Sequence, residues 1–140
     1  MSTDFPSPDL AKASRFVAAS GFVVGEFSGA RVTGHVDLGP DQHTPWGVVH
    51  GGVYCTVIES AASIGASAAV AERGQFAVGV NNQTDFLRPM NEGRIDVVAE
   101  PIQQGRTLQL WQVVLTRADD GKLVARGQVR LQNVPLPGSS

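Results

Sequence analysis

The stretch Gly51-Gly52-Val53-Tyr54-Cys55-Thr56-Val57-Ile58-Glu59-Ser60-Ala61-Ala62-Ser63-Ile64-Gly65-Ala66-Ser67-Ala68-Ala69-Val70-Ala71 decides the fold. Its side chains are small or apolar almost throughout, with one charge near the middle, Glu59. A helix that is apolar nearly all round is normally buried, and a carboxylate inside it is costly unless paired, hydrogen-bonded or protonated. Packing alone gives no reason to put an acid there, so Glu59 is the first candidate for chemistry. The run is nearly long enough to cross a bilayer, but its Ala, Ser and Gly content and its Glu59 favour a buried helix of a soluble protein.

Outward from the helix, the flanking segments read as strands. Before it, Phe22 to Glu26 and Ala30 to Leu38 are strand-like, and Gly39 to Trp46 is a loop. A short N-terminal helix is expected further upstream, with Ser7 as cap, Pro8 and Asp9 in its first turn and Gly21 as its stop. The central helix is expected from about Gly52 to Glu72, ended by Gly74. Beyond it the period becomes two. Gln75 to Leu87 is a strand stopped by Arg88-Pro89. Gly93 to Gln103 alternates, with Ile95, Val97 and Ala99 on one face. Thr107 to Arg117 follows, then the Asp119-Asp120-Gly121 hairpin turn and a strand from Lys122 to Asn133. Short connections favour antiparallel pairing. The predicted fold class is α+β, a long central helix wrapped by a curved antiparallel sheet. The expected domains are an arm with a short helix (1–21), one globular unit (22–134) and a flexible tail (135–140).

The 140 residues suit a single core. Charged residues are 17% of the chain and hydrophobic ones 42%, which fits a well-buried protein with surface to spare for an oligomer. The net charge of −2 gives no electrostatic reason to expect nucleic acid or an anionic membrane as partner. The single cysteine, Cys55, cannot form an intrachain disulfide and fits a reducing compartment. No basic stretch followed by an apolar core opens the chain, so no signal peptide is expected and the cytoplasm is the expected location.

Ahead of the helix stands Trp46-Gly47-Val48-Val49-His50-Gly51-Gly52. Free N–H groups at a helix N-terminus favour negative charge, and glycine admits a carbonyl closely, so Gly51 and Gly52 can form an oxyanion hole. The same glycines would also serve a tight turn. His50 either orients a polar network or packs as an ordinary histidine. Ser63, one turn after Glu59, can hold the carboxylate or a water, or simply pack. In the strand after the helix, Phe76, Val78 and Val80 are expected on one face with Asn82 and Thr84, so that this face turns polar and lines a pocket or a sheet end. No His or Cys cluster has metal spacing, so no metal is expected. No nucleophile elbow, phosphate-binding loop or dinucleotide fingerprint is present. Lys122, Arg126 and Arg130 read as a solvated strand face.

Spacing constrains how the candidates could cooperate. Gly51 and Glu59 are roughly 12 Å apart along one helix. A base and an oxyanion donor must both come within about 3 Å of one carbonyl. Two such helices related by a two-fold could place Gly51 of one beside Glu59 of the other, a composite site at a dimer interface.

The set Trp46-Gly47-Val48-Val49-His50-Gly51-Gly52-Val53-Tyr54-Cys55, then Glu59, then Ala77-Val78-Gly79 and Thr84-Asp85-Phe86-Leu87-Arg88-Pro89 resembles the hotdog-fold acyl-CoA thioesterases. The nearest branch is the phenylacetate-pathway type, with the Arthrobacter-type 4-hydroxybenzoyl-CoA thioesterases, over about residues 20 to 133. The resemblance implies hydrolysis of an acyl-CoA, aryl or medium-chain, by a homodimer or homotetramer without metal or bound cofactor. It implies that Glu59 is the catalytic carboxylate, acting as nucleophile or general base, and that the Gly51 N–H polarises the thioester carbonyl. Ser63 matches a hydroxyl position and His50 the loop histidine. Thr44 stands where that branch carries Gln near the reacting group, a departure that bears on the aryl substrate. Asn82 and Thr84 match strand positions near the substrate or its pantetheine arm. Two other readings stay open: a hydratase or dehydratase of acyl thioesters on the same fold, and a non-catalytic acyl-CoA-binding module.

Overall fold

A computed structural model of the chain describes residues 9–138. The long helix α2 (Gly51–Val70) packs against one six-stranded sheet, as expected. Before it come a 3-10 turn at Leu10–Lys12, helix α1 (Arg15–Ala19), strands β1 (Phe22–Phe27) and β2 (Val32–Leu38), and a 3-10 turn at Pro40–Gln42. After it come a 3-10 turn at Ala71–Arg73 and strands β3 (Gln75–Phe86), β4 (Gly93–Gln104), β5 (Leu108–Arg117) and β6 (Leu123–Pro135). Gly74 ends the helical segment in the left-handed region, at φ 69°.

Within the described residues the N-terminal helical segment is divided into the 3-10 turn and α1. Ser7 and Pro8 lie outside the described residues. Asp9 caps the 3-10 turn through the Ala11 N–H, and Ser14 caps α1 by accepting from the Val17 N–H at 3.2 Å. At the other end, β6 continues through Pro135, while Ser139 and Ser140 lie outside the described residues.

All strand pairs are antiparallel, in the order β1-β2-β4-β5-β6-β3. The consecutive pairs β4–β5 and β5–β6 follow from short connections. β3 does not lie beside β4: after β2 the chain runs through α2 and enters the sheet at the far edge, where β3 pairs with β6. Among the described residues, no strand pairs with the other edge of β3.

The core lies between α2 and the sheet. Val57, Ile58, Ala61, Ala62 and Ala66 of α2 are fully buried, as are Trp111, Val113 and Leu115 of β5 and Val129 and Leu131 of β6. Small helix residues let the helix lie close to the sheet: a Cβ at Gly65 would collide with the Trp111 ring. A buried polar network crosses this core. The Gln109 amide donates to Ala66 O at 3.0 Å and to Asn133 Oδ1 at 2.8 Å, and it accepts from Trp111 Nε1 at 2.8 Å. The network leaves the Trp111 N–H and the Gln109 amide satisfied, as burial demands.

Two expectations about burial are corrected. First, α2 is covered mainly on its sheet side, and Glu59 is exposed in the protomer, so the carboxylate escapes the desolvation cost that full burial would impose. Second, β3 does not keep one period-two face. Its pairing steps from Gly79↔Leu131 to Asn81↔Arg130, leaving Val80 as the extra residue of a β-bulge. Ala77 is therefore buried, whereas Val78 and Val80 are 42% and 54% exposed. Before the bulge Ala77 and Gly79 face α2; after it Asn82 and Thr84 do.

Candidate active site

The N-terminus of α2 is built by His50. Its backbone is extended (φ −67°, ψ 131°), and its Nδ1 accepts the Gly52 N–H at 2.8 Å while its carbonyl accepts the Val53 N–H at 3.0 Å. The imidazole thus serves as the helix cap. Because Nδ1 is the acceptor, the neutral ring carries its proton on Nε2. The Gly52 N–H, one of the two oxyanion candidates, is taken by this cap. The Gly51 N–H has no protein acceptor among the described residues and sits at the positive end of the helix. Glycine at 51 has a steric reason too: a Cβ there would come within 2.5 Å of the Phe86 ring.

The loop before the cap is tied on both sides. The Val49 N–H donates to Met90 O and the His50 N–H to Gln42 O, both at 2.8 Å. Thr44 shapes the turn at its tip. Its N–H donates to Val48 O at 2.7 Å, its carbonyl accepts the Gly47 N–H, and its hydroxyl accepts the Trp46 N–H at 3.2 Å. Gly47 takes φ 81°, which this turn requires. Thr44 thus shapes its own loop, and Trp46 projects from it, 85% exposed.

Glu59 is held from the strand side. The Asn82 Nδ2 donates to Glu59 Oε1 at 3.2 Å and to Cys55 O at 3.1 Å. Thr84 Oγ1 donates to Asn82 Oδ1 at 2.7 Å, which fixes the amide orientation. Asn82 and Thr84, read from sequence as pocket-lining residues, therefore form a relay that aims the carboxylate. Gly79 completes the seat: a Cβ there would lie 2.8 Å from Glu59 Oε2. The bulge at Val80 makes this arrangement possible, because it brings Gly79 and Asn82 onto the same face. Ser63 lines the same recess but makes no hydrogen bond to Glu59.

Three recesses adjoin these groups. One of about 410 Å³ holds Glu59, with Cys55, Ser63, Asn82, Phe16 and Val17 among its walls. One of about 440 Å³ lies beside His50 and Gly52 and shares Phe16 and Thr56 with the first. One of about 260 Å³ adjoins Gly51, Tyr54, Phe86 and Arg88. Burial pushes the Tyr54 phenol up to about 12, so its hydroxyl keeps its proton at neutral pH. Among the described residues, no group of three or more His, Cys, Asp or Glu side chains could hold a metal ion.

Sequence reasoning missed Gly79, the Cys55 carbonyl and the two α1 residues. Gly79 could have been suspected as a glycine inside a strand, a common mark of a bulge or a close approach. Phe16 and Val17 carry no local signal, because only the tertiary fold lays α1 across α2.

Comparison with known proteins identifies the family. The family model of the thioesterase superfamily matches residues 47–124, from the glycine-rich loop into β6. The Mycobacterium tuberculosis protein Rv1847 is 49% identical over 108 residues, which is 76% of this chain and 75% of that protein. Its solved structure superposes with a TM-score of 0.83 at 43% identity, covering 88% of this chain and 98% of that one. The 1,4-dihydroxy-2-naphthoyl-CoA thioesterase 2 of Arabidopsis thaliana is 35% identical over 126 residues, 84% of this chain and 78% of that protein. The chain accordingly belongs to the thioesterase superfamily and is a thioester hydrolase on the hotdog fold.

Proposed function

We propose that the chain hydrolyses acyl-CoA thioesters, aryl or medium-chain, to the free acid and CoA, at a site shared by two protomers. The observation that carries this reading is the division of roles along α2. The Gly51 N–H, which has no acceptor among the described residues, and the oriented carboxylate, at Glu59, are separated by about two helical turns, roughly 12 Å. A single carbonyl cannot meet both in one protomer, whereas a two-fold pair of α2 helices can offer Gly51 from one and Glu59 from the other. The outer edge of β3, unpaired among the described residues, with Val78, Val80, Phe86 and Leu87 exposed along it and just beyond its end, supports such a pairing.

In this reading the thioester oxygen sits against the Gly51 N–H, where the helix dipole stabilises the developing oxyanion. Glu59 of the partner attacks the carbonyl carbon, expelling the CoA thiolate and leaving an anhydride that water opens, or it deprotonates the water that attacks. Both routes use the carboxylate in the position set by Asn82 and call on no metal or bound cofactor. The Arabidopsis thaliana relative's naphthoyl substrate supports an aryl acyl group; Thr44, which stands where the aryl branch carries Gln, offers that group a hydroxyl in place of an amide. The location proposed for this activity is the cytoplasm, and no nucleic acid or membrane partner is invoked.

The test is release of free thiol from aryl-, short-, medium- and long-chain acyl-CoAs. Thiol release from at least one of them, abolished by Glu59→Ala, is the expected result, and the best substrate names the acyl class. Tight acyl-CoA binding without thiol release would replace this reading with a binding module.

A further inference from the structure

Phe16 stands on α1, a helix of five residues, with 71% of its surface exposed. Leaving a Phe side chain in water forgoes most of the gain its burial would bring, and a ligand packed against the ring would recover it. Its position is fixed by more than α1 itself, which is too short to be stable alone. Ser14 caps the first turn, the Ser20 hydroxyl closes the last on Val17 O at 2.7 Å, and the Gln42 Nε2 donates to Ser20 O at 2.9 Å. Gln42 in turn accepts the Gly39 N–H at 3.0 Å. The loop ahead of the α2 cap thus holds the end of α1.

There Phe16 lines both recesses along the open side of α2, the one beside His50 and Gly52 and the one that contains Glu59. It is the only aromatic residue in the wall of the Glu59 recess among the described residues. Facing it from α2 are small side chains, Cys55, Thr56, Ser60 and Ser63. A large ring opposite a row of small residues leaves an apolar space whose size the ring sets, beside the carboxylate.

We infer that Phe16, with Val17 in the same wall, is the residue that sets acyl-group preference: the acyl chain or ring of the thioester packs against Phe16 while its carbonyl is held at Glu59. This rests on the reading of Glu59 as the catalytic carboxylate. Truncating the ring removes contact made only by large acyl groups, and enlarging it fills the space they need. A contact of that size is worth about 10–200-fold in discrimination between substrates.

The experiment measures kcat/KM for acetyl-, hexanoyl-, lauroyl- and benzoyl-CoA with the wild type, Phe16→Ala and Phe16→Trp, alongside sedimentation of each. Phe16→Ala is expected to lower kcat/KM for the best large substrate by about tenfold or more and for acetyl-CoA by less than about twofold. Phe16→Trp is expected to move the preference toward smaller acyl groups, with sedimentation unchanged. A uniform change across all four substrates, or altered sedimentation with the ranking intact, would overturn the assignment and make Phe16 a contact between subunits. Glu59→Gln on the same panel separates the two levels. If Glu59→Gln is inactive and the Phe16 variants leave the substrate ranking unchanged, this inference alone fails; if Glu59→Gln stays active, the reading of Glu59 beneath it fails.

Discussion

Glu59→Gln is expected to lower turnover of the best acyl-CoA by about 10²–10⁴-fold while leaving the folded oligomer intact. The substitution is nearly isosteric. The Gln carbonyl oxygen can still accept from Asn82 Nδ2, the contact that holds Glu59 Oε1 at 3.2 Å. What is lost is the charge and the basic, nucleophilic oxygen. Glu59 is exposed in the protomer and forms no ion pair among the described residues, so its removal strands no buried cation. A loss of activity with circular dichroism and sedimentation unchanged therefore reports on chemistry. Turnover within about twofold of wild type, well short of the loss expected of a general base, would remove Glu59 from the mechanism.

Gly51→Pro is expected to cost about 10²–10³-fold in kcat, the usual effect of deleting one oxyanion donor. Proline at the first position of a helix deletes a single N–H and otherwise suits the geometry. The preceding residue must be extended, and His50 already is, at φ −67° and ψ 131°. A steric cost is the new Cβ, which falls within 2.5 Å of the half-exposed Phe86 ring. Gly51→Ala carries the same Cβ and keeps the N–H, so it measures that cost separately. The account expects kcat of Gly51→Pro far below that of Gly51→Ala. Equal losses in the two variants would mean that the Phe86 contact, and not the N–H, is what glycine provides.

Much of this was legible in the chain. A run of small apolar residues interrupted by one acid specified the central helix, and the change to period two specified the strands that follow. The glycine-rich loop pointed to a helix start, and the His50-Gly51-Gly52 set with Glu59 pointed to the family. Burial was less legible, because periodicity does not say which flank of a helix a sheet will leave open; Glu59 lies on that flank. The β3 face was misassigned for a similar reason. A bulge at Val80 inverts the alternation, and the strand sequence Ala77-Val78-Gly79-Val80-Asn81-Asn82 offers only a glycine as a hint. The bulge is also what turns Asn82 from a wall residue into the group that orients Glu59. The cap explains why the two glycines differ: Gly52 gives its N–H to His50, and only Gly51 has one to spare.

The shared site is tested most directly by mixing two inactive variants. Glu59→Ala and Gly51→Pro are denatured together, refolded and assayed for thiol release. If Gly51 of one protomer works with Glu59 of the other, each mixed dimer contains one intact site and one doubly damaged site. Random pairing then restores about one quarter of wild-type activity. If each protomer carries its own complete site, every site in the mixture lacks either Glu59 or the Gly51 N–H, and the mixture stays as inactive as its parents.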